Sequence, residues 1–554
     1  MKSTMTSSPL LLGGMLERAA KIFPTVELVS VRPDGARHRS NYLETHRRAK
    51  QLSAALLKAG IRNGDRVATL MWNQQEHVEA YFGVPAVGAV LHTLNLRLHP
   101  EEIAYIVNHA EDRFLIVDAT LLDVYEQFRA LVQLERVFVV DHGCGRQTPG
   151  GESYEGLLTA AVEVEPEYPA LDEEEAAAMC YTSGTTGKPK GVLYSHRALA
   201  LHSLAMALPD QLGCSCHDTV LPAMSMFHAN AWGFPYAATM TGSKQVLPGR
   251  NLQPESLLDL LEGERVTLTG GVPTIWLAVL NALDCHPGRW KLAPGLRIVI
   301  AGSAAPESMF RRFDKFGVRV IHLWGMTETT PVATVCTLKP HMANWTEDEC
   351  YEQRAKQGPP TPFIEVRAVN ETEEVARDGR TAGELEIRGP WVTSRYFKLD
   401  QSDRWTKDGW FRTGDVVTID EEGYVKITDR VKDLIKSGGE WISSVDLENA
   451  IVAHDAVKEA AVIAVPHPKW VERPLAVIVL KEGRQVQEAE LCAFLATRFA
   501  KWQLPDAFVF VDELPHTSTG KLLKSKLRQE FGEWAWEQVP PGQAQHEVAL
   551  KTGV

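Results

Sequence analysis

The segment 181–191, with the sequence YTSGTTGKPKG, constrains the fold more than any other part of the chain. Its three glycines let a backbone approach a ligand closely, and its hydroxyls and two lysines attract anions. A short apolar stretch, 178–180, precedes it, and an apolar helical stripe from Ala198 to Leu208 follows. A flexible linker is the alternative, but linkers rarely carry two lysines and a proline just before a helix. The segment is therefore predicted to be a polyphosphate-binding loop.

This loop differs from the two commonest nucleotide-binding motifs. In a Walker A loop the glycine–lysine pair is followed by Ser or Thr, whereas Pro189 follows Lys188 here. Thr182 stands where the first Walker glycine belongs, and we find no G-x-G-x-x-G dinucleotide turn after a strand. The phosphate chemistry must therefore belong to another class of protein.

The first 140 residues alternate between helical and strand patterns, which is typical of βαβ units. Helical stripes lie at 47–57 and 101–109, and strand-like runs lie at 66–71 and 114–117. The fold class is therefore predicted to be α/β, with mainly parallel sheets in a large N-terminal domain of several subdomains. The segments 143–169 and 341–362 are rich in Gly, Pro and polar residues and are predicted to be connecting loops.

Further along, the pattern changes twice. Short β-rich pieces appear at 384–388, and 416–428 reads as a hairpin with a turn at 420–423. Beyond Lys432 the pattern becomes that of a small α+β unit, in which Ser443 is placed to cap a helix. A unit of this size is large enough to fold by itself.

Composition excludes several classes of protein. The 554 residues include 58 Lys and Arg against 71 Asp and Glu, a net charge of −13, which argues against binding to nucleic acid. No apolar run is long enough for a membrane-spanning helix, so no integral membrane segment is expected. Eight scattered cysteines fit a reducing compartment. We therefore expect a cytoplasmic protein.

Six segments, in this order along the chain, resemble the signature motifs of the adenylate-forming superfamily. That superfamily comprises acyl-CoA synthetases, luciferases and the adenylation domains of peptide synthetases. The segments are 181–191, 302–306, 322–329, 413–415, 429–433 and 515–521. The resemblance covers residues 30 to 530 and is closest to bacterial medium- and long-chain fatty acid–CoA ligases. It implies ATP and CoA as co-substrates, Mg²⁺ as cofactor and a small carboxylic acid as substrate.

The resemblance implies a role for each motif residue that handles phosphate. Thr185 and Glu328 would hold Mg²⁺, for which oxygen ligands are suitable. Lys521 would be catalytic, contacting the carboxylate and the α-phosphate while the adenylate forms. The remaining phosphate-loop residues are Thr182, Ser183, Gly184, Thr186, Gly187 and Lys188.

A second group would bind the nucleoside. Asp415 is expected to accept hydrogen bonds from the ribose hydroxyls, Arg430 to contact the ribose or phosphate, and Trp324 to stack on adenine. The residues expected to line this pocket are Gly302, Ser303, His322, Leu323 and Thr327.

The resemblance also implies a mobile C-terminal domain. Residues 1–429 would form the N-terminal AMP- and acyl-binding domain, 430–435 the hinge around Lys432, and 436–535 the lid, with a tail at 536–554. A rotation about the hinge would remove Lys521 after adenylation and bring in a CoA-binding segment. The residues of that segment are Lys436, Gly438, Gly439 and Trp441.

The segment 226–235 points to the acid. Adenylation domains hold the amino group of their substrate with an Asp in this region, and this segment has no acidic residue. An apolar acid is therefore expected. His228 resembles a family residue beside the reactive carboxylate, Ala229 and Trp232 are expected to border the acyl pocket, and Gly270 and Gly271 are small enough to open a tunnel.

Several alternatives stay open at this point. The acid is predicted to be a medium- to long-chain fatty acid, but the same subfamily includes ligases for short thioether acids such as 3-methylthiopropionate. An enzyme that loads acyl groups onto a carrier protein would share the first half-reaction. A silent acyl-nucleotide-binding regulator and a luciferase-like monooxygenase are further alternatives. A homodimer is also left open.

Overall fold

The structure is a computed structural model. It describes residues 1, 3–182, 188–370, 373–399, 402–430, 432–437, 440–517, 521–532, 534 and 536. The chain forms two compact units, of which the first contains Met1–Ile427 and Thr517–Lys521. The second contains Thr428–His516 and Leu522–Val554. The hinge role of 430–435 stays a prediction.

The strands fall into four sheets. In chain order they are β1 (Glu27–Val31), β2 (Arg37–Asn41), β3 (Arg66–Leu70), β4 (Val90–Thr93), β5 (Asp112–Asp118), β6 (Arg136–Val140), β7 (Gly151–Ser153), β8 (Ala176–Tyr181), β9 (Gly191–Ser195), β10 (Thr219–Pro222), β11 (Lys244–Leu247), β12 (Leu268–Gly271), β13 (Arg297–Ile300), β14 (Arg319–Gly325), β15 (Val332–Val335), β16 (Glu365–Asn370), β17 (Glu373–Glu374), β18 (Gly383–Arg388), β19 (Phe411–Ile419), β20 (Val425–Arg430), β21 (Ile435–Ser437), β22 (Glu440–Ile442), β23 (Val457–His467), β24 (Val471–Leu480) and β25 (Ala507–Phe510).

Two largely parallel sheets dominate the first unit. One has the order β7-β6-β5-β3-β4-β8-β9, and only its β8–β9 pair is antiparallel within the described register. The other has the order β15-β14-β13-β12-β10-β11-β1-β2, with antiparallel pairs at its two edges. A third sheet, β17-β16-β18-β19-β20, is antiparallel from β16 to β19. The predicted α/β class with mainly parallel sheets is confirmed.

Helices cover the sheets and supply the core. They are Leu12–Ile22, Tyr42–Lys58, Gln75–Ala86, Pro100–Ala110, Leu122–Phe128, Tyr154–Thr159, His196–Ala207, Phe234–Thr241, Pro254–Gly263, Pro273–Cys285, Glu307–Asp314, Glu347–Arg354, Ser444–Val452, Glu488–Ala496 and Lys524–Glu530. Side chains cap the N-termini of several of these helices. The side chain of Asn41 accepts from the backbone N–H of Glu44, and that of Ser195 accepts from Ala198.

Two predicted loops contain regular structure. The segment 143–169 includes β7 and the helix Tyr154–Thr159, so its assignment as a connection was wrong. The segment 341–362 includes the helix Glu347–Arg354, which was also missed. That helix is largely polar and therefore lacks an apolar stripe, but Thr346 and Glu349 form a capping box.

The second unit is a small α+β structure. Its sheet has the order β22-β21-β24-β23, with β25 parallel to β24. The long pair β23 and β24 is antiparallel. The helix Ser444–Val452 begins at Ser443, whose side chain accepts from the N–H of Asp446 as predicted.

No helix in the part of the chain that the structure describes has both the length and the apolar character needed to cross a bilayer.

Candidate active site

Parallel strands bring several predicted site segments to one edge of a sheet. β10, β12, β13 and β14 are neighbours that run in the same direction. Their carboxyl ends lead to His228, to Gly271, to Gly302 and to Glu328. Ligands commonly bind at the carboxyl edge of such sheets, and these residues are candidates for that reason.

The two ends of the predicted phosphate loop belong to a β-hairpin. β8 and β9 pair in antiparallel register, with Tyr181 opposite Gly191. The N–H of Thr182 donates to the carbonyl of Lys190 at 2.9 Å, and the N–H of Lys190 donates to the Thr182 hydroxyl at 3.1 Å. The predicted residues Ser183, Gly184, Thr185, Thr186 and Gly187 lie outside the described residues. The hairpin holds the two ends of their segment together.

The two lysines of this segment lie against aromatic rings. Lys188 Nζ is 4.9 Å from the ring centre of Tyr105, and Lys190 Nζ is 4.9 Å from that of Tyr396. A cation over a ring face is attracted by the ring quadrupole. The rings thus help to place positive charge beside the loop.

Glu328 is a buried carboxylate held in place by its neighbours. Its Oε1 accepts from the Tyr396 hydroxyl at 2.7 Å, and its carbonyl accepts from the N–H of Thr393 at 2.8 Å. Burial and the charge of Glu328 raise the pKa of Tyr396 above its usual range, so the phenol stays protonated and remains a donor. The sequence analysis missed Tyr396, because the motif that contains Glu328 ends 67 residues earlier, at Thr329.

The donor chemistry around Glu328 suits a magnesium ion. Mg²⁺ is usually held by one or two carboxylates together with substrate phosphates, not by a complete cage of protein ligands. Among the residues that the structure describes, no group of three or more His, Cys, Asp and Glu could hold a metal by itself. One carboxylate beside a phosphate loop agrees with that preference.

Trp324 and Asp415 meet although 90 residues separate them in sequence. The indole Nε1–H donates to Asp415 Oδ2 at 2.9 Å, and both residues are 6% exposed. Gly414, with φ of 78°, turns β19 just before Asp415. Two predicted nucleoside-binding residues therefore form one hydrogen-bonded unit.

His322 and Leu323 support this region from within the protein. Burial lowers the pKa of His322 to about 4, so its ring is neutral near pH 7. Its Nδ1 donates to the carbonyl of Ala355 at 2.8 Å, and its Nε2 accepts from the N–H of Ala305 at 3.4 Å. The carbonyl of Thr327 accepts from the Tyr194 hydroxyl at 2.7 Å.

Lys521 lies beside Gly302. Its Cε is 3.6 Å from the point that a Cβ on Gly302 would occupy, and Gly302 has φ of 93°. Lys521 is held by Thr517, whose hydroxyl accepts from its N–H at 3.1 Å and whose N–H donates to its carbonyl at 2.7 Å. Burial lowers the pKa of His228 to about 3, and the charges of Lys521 and Arg97 contribute. Lys521, Gly302 and His228 are therefore brought together.

A small pocket connects Thr182 with His228. Two of its other lining residues belong to segments that the sequence singled out, Tyr181 to 181–191 and Phe227 to 226–235. The remaining ones were not identified from the sequence, because they belong to no motif. They are Thr93, Asn95, Leu98 and Ile106. No strand was predicted at 90–93, and the carboxyl end of β4 at Thr93 is the feature that would have indicated this part of the lining.

A left-handed turn follows His228. Ala229, Asn230, Ala231 and Trp232 have φ between 42° and 54°, a conformation that costs each L-residue about 1–2 kcal/mol. Such strain clusters at functional sites. The turn buries Ala229 and Trp232 at 4% exposure.

The space beside Gly270 is occupied by apolar side chains. A Cβ on Gly270 would lie 2.8 Å from Met224 Cε and 3.0 Å from Phe234 Cζ. Trp232 packs in the same core cluster as Met224 and Phe234. The predicted tunnel is therefore filled by the protein's own side chains at Gly270.

The second unit carries the remaining predicted residues. Arg430 ends β20, Lys432 is exposed, and Lys436 donates its N–H to Glu472 Oε2 at 2.8 Å. Trp441 pairs with Lys436 in the β21–β22 ladder. Gly438 and Gly439 lie outside the described residues.

Comparison with known families decides the classification. Residues 16–397 match the model of the AMP-binding enzyme family, and residues 446–521 match the model of the AMP-binding enzyme C-terminal domain. The chain belongs to the AMP-binding enzyme family. The resemblance stated from the six motifs is thereby confirmed.

Three full-length relatives of this AMP-binding chain are CoA ligases. A long-chain-fatty-acid–CoA ligase of Thermus thermophilus is 50% identical over 96% of this chain and 97% of that protein. A 3-methylmercaptopropionyl-CoA ligase of Ruegeria lacuscaerulensis is 45% identical over 96% of this chain and 99% of that protein. A medium-chain-fatty-acid–CoA ligase of Ectopseudomonas oleovorans is 44% identical over 96% of this chain and 98% of that protein.

Solved structures of the family share the fold. The anthranilate CoA ligase AuaEII, solved with anthranoyl-AMP, has a TM-score of 0.82 at 25% identity and covers 96% of this chain and 99% of its own. The o-succinylbenzoate CoA synthetase of Bacillus subtilis, solved with ATP and a magnesium ion, has a TM-score of 0.77 at 25% identity. It covers 93% of this chain and 99% of its own.

Proposed function

We propose that the chain is an AMP-forming fatty acid–CoA ligase, which converts a fatty acid, ATP and CoA to acyl-CoA, AMP and diphosphate. The observation that carries the proposal is the convergence of Lys521, Gly302 and His228 at the sheet edge that also leads to Glu328. The predicted enzyme class, an acid–thiol ligase, is confirmed by family membership and by the relatives.

In the first half-reaction a carboxylate oxygen attacks the α-phosphorus of ATP. The new O–P bond forms as the bond to the β-phosphate oxygen breaks, and diphosphate leaves. Both reactants are anions, so the site must neutralise charge. The ammonium group of Lys521 supplies a positive charge beside both, and His228 stays uncharged, so it offers the carboxylate a hydrogen bond only.

Other residues hold the nucleotide during this step. Asp415 accepts hydrogen bonds from the ribose, and Trp324 fixes the orientation of its carboxylate. Thr185 and Glu328 would hold Mg²⁺ on the phosphates, where the ion neutralises negative charge. Tyr396 keeps the Glu328 carboxylate oriented. The segment 182–190, with its two lysines, is proposed to bind the phosphates.

In the second half-reaction the CoA sulfur attacks the acyl carbon of the adenylate. The C–S bond forms, the C–O bond to the phosphate breaks, and AMP leaves with its electron pair while the thiol proton passes to solvent. Lys436, Gly438, Gly439 and Trp441 are proposed to bind CoA in this step. Lys521 has no part in it, because no anion attacks phosphorus.

Apolar surroundings favour an apolar acid. Met224 and Phe234 lie beside Gly270, Trp232 belongs to the same large core cluster, and Met224 and Phe234 offer no partner for a charged substituent. We propose a medium- to long-chain fatty acid for which movement of these side chains opens the tunnel. A thioether acid of the 3-methylthiopropionate type is the second candidate. The filled space at Gly270 favours a short acid, and so does the relative from Ruegeria.

AMP release with Mg·ATP and CoA, measured across acids from propionate to stearate and with 3-methylthiopropionate, tests the proposal. A maximum between hexanoate and palmitate supports a fatty acid–CoA ligase. Activity confined to short or thioether acids favours the second candidate. Activity that needs a phosphopantetheinyl carrier in place of CoA, or no AMP with any acid, overturns the proposal.

A further inference from the structure

The side chain of Asn73 is hydrogen-bonded to the segment that leads to His228. Asn73 follows β3, is 3% exposed and belongs to none of the six motifs. Its Nδ2 donates to the carbonyl of Pro222 at 3.0 Å and to that of Met224 at 2.8 Å. Its Oδ1 accepts from the N–H of Met226 at 2.8 Å. One buried amide therefore makes three hydrogen bonds to the connection between β10 and His228.

The chemistry of this contact requires an amide. An Asn side chain carries two N–H donors and an acceptor oxygen, so it can bind two carbonyls and one N–H at the same time. A carboxylate has no donor for the carbonyls. The backbone of Asn73 is held as well, because its carbonyl accepts from the N–H of Gly249, just after β11, at 2.9 Å. Since β10 and β11 are parallel neighbours, Asn73 binds the chain at the carboxyl ends of both.

Two hydroxyl groups hold the next two residues of the segment. The Tyr81 hydroxyl donates to the carbonyl of Met226 at 2.5 Å, and the Thr93 hydroxyl donates to that of Phe227 at 3.2 Å. Burial raises the pKa of Tyr81 well above its usual value, so the phenol stays protonated and remains a donor. The backbone is therefore bound by side chains up to the residue before His228.

The turn at 229–232 is held from the other side of His228. The Cys180 thiol, on β8, donates to Asn230 Oδ1 at 3.2 Å, and both residues are 1% exposed. The four residues of this turn adopt a left-handed conformation that L-residues disfavour, and such strain persists only where the surrounding structure holds it. The contacts on both sides of His228 therefore keep a strained backbone in place.

The position of the His228 ring follows from this backbone. The N–H of His228 donates to the carbonyl of Ser225 at 3.0 Å, which closes a turn within the bound segment. A shift of the segment 222–226 therefore carries the ring with it. Hydrogen bonds weaken steeply as their angle departs from linear, so the ring must be held at a fixed angle to its partner.

We propose that Asn73 and Tyr81 are positioning residues, which hold the backbone at 222–226 and thereby orient His228 for the carboxylate of the acid. The proposal rests on the proposed function, because it assigns His228 to that carboxylate during adenylation. A displacement of about 1 Å, caused by a change away from the reacting atoms, can cost about 100-fold in rate.

A double-variant cycle in the full-length protein tests whether Asn73 acts through His228. The rate and the KM values of ATP–diphosphate exchange are measured for Asn73→Ala, for His228→Ala and for the two combined. We expect Asn73→Ala alone to lower the rate constant about 10- to 100-fold. In the His228→Ala background the same substitution should change it by less than about threefold, because the residue that it positions is already gone.

The KM values separate a positioning role from general damage to the fold. For Asn73→Ala the KM for ATP should stay within about threefold of the unaltered chain. The reason is that Trp324 and Asp415, the residues proposed to bind the nucleoside, lie on β14 and β19. The matched control is Gln245→Ala, since Gln245 is 1% exposed and its amide donates to two hydroxyls at 3.0 Å. It should lower the Tm and leave the exchange rate unchanged.

Tyr81→Phe keeps the proposal testable if Asn73→Ala does not fold, because it removes a single hydroxyl and keeps the ring. It should show a smaller loss of the same kind, which again disappears in the His228→Ala background. Tyr42→Phe is its control, since the buried Tyr42 hydroxyl also donates to a carbonyl, that of Ser243 at 2.6 Å.

The outcomes separate this inference from the proposed function. An equal loss from Asn73→Ala with and without His228, or no loss from either Asn73→Ala or Tyr81→Phe, overturns the positioning role alone. If His228→Ala keeps its full rate of exchange, the role of His228 in the proposed function is wrong and this inference falls with it. If the unaltered chain shows no exchange with any acid, the proposed function itself is overturned.

Discussion

The indole N–H of Trp324 donates to the carboxylate of Asp415 across 2.9 Å in a buried environment. A hydrogen bond to an ionised acceptor is stronger than one between neutral groups, so it orients the carboxylate firmly. The bond links the segment expected at adenine to the turn expected at ribose. Nucleotide affinity should therefore depend on Trp324 through Asp415 as well as through its ring.

Trp324→Phe removes this N–H and keeps an aromatic ring. Because a hydrogen bond to a charged group contributes about 1.5–3 kcal/mol, we expect the KM for ATP to rise about tenfold or more. The KM for the acid should change little. Trp290→Phe is the control, since Trp290 Nε1 also donates to a carboxylate, that of Asp259 at 2.7 Å, and neither residue belongs to a motif. Equal effects of the two variants on the KM for ATP would contradict the assignment.

Lys521→Ala should remove adenylation and spare the second half-reaction. The charge that Lys521 places beside Gly302 is needed when two anions meet, and not when a thiol attacks the adenylate. We expect a loss of about 100-fold or more in ATP–diphosphate exchange. Conversion of supplied acyl-adenylate and CoA should stay close to that of Lys526→Ala, which changes an exposed lysine. A parallel loss in both assays would remove Lys521 from its proposed role.

Tyr396→Phe removes the hydroxyl that orients Glu328. Residues that orient metal ligands typically contribute 10- to 100-fold to metal affinity, so the Mg²⁺ concentration for half-maximal adenylation should rise by about that factor. Binding of Mn²⁺·ATP, followed by calorimetry, should weaken in parallel. The matched control is Tyr351→Phe. The Tyr351 hydroxyl also donates to a carboxylate, that of Asp314 at 2.7 Å, but this pair is not part of the candidate site. An unchanged metal requirement would leave Tyr396 with a structural role only.

Trp232→Ala should change which acids are used. Trp232 packs in the cluster that contains Met224 and Phe234, and deleting a large buried ring leaves a cavity. We expect the preferred chain length to increase while the KM for ATP stays within about threefold. Trp290→Ala, in a different core cluster, controls for the general cost of losing a buried tryptophan. An unchanged acid profile would place Trp232 in the core alone.

Buried histidines should make the protein sensitive to acid. Burial lowers the pKa of His202 to about 3, and it lowers the pKa values of His77, His196 and His322 to about 4. The unfolded chain then binds more protons than the native state between those values and 6.5, so stability is full above pH 6.5 and is lost as the pH falls. At pH 5 each such histidine lowers the free energy of unfolding by about 2 kcal/mol.

His202→Gln isolates one of these contributions. Gln can accept from the N–H of Val332, as His202 Nε2 does at 3.2 Å, and it does not titrate. We expect the decrease in Tm between pH 7 and pH 5 to be smaller in this variant than in His217→Gln, which changes an exposed histidine. Identical pH slopes would show that His202 takes no part in acid unfolding.

Local sequence patterns predicted the elements that depend on nearby residues. The helices at 47–57 and 101–109 were placed correctly within a few residues, since apolar spacing and caps act locally. The helix Glu347–Arg354 was missed for lack of an apolar stripe, although its capping box was readable in the sequence. The left-handed turn at 229–232 could not be predicted, because its four consecutive non-glycine residues adopt a backbone conformation that L-residues disfavour.

The sequence by itself determined the class of the protein, since six ordered motifs identify the adenylate-forming superfamily and name most of the candidate residues. Only the tertiary structure decided which of them meet. Trp324 contacts Asp415, Tyr396 contacts Glu328, and Lys521 lies beside Gly302. The physical reason is that motifs are local in sequence, whereas buried hydrogen bonds and charge pairs form between strands and turns that folding brings together from distant parts of the chain.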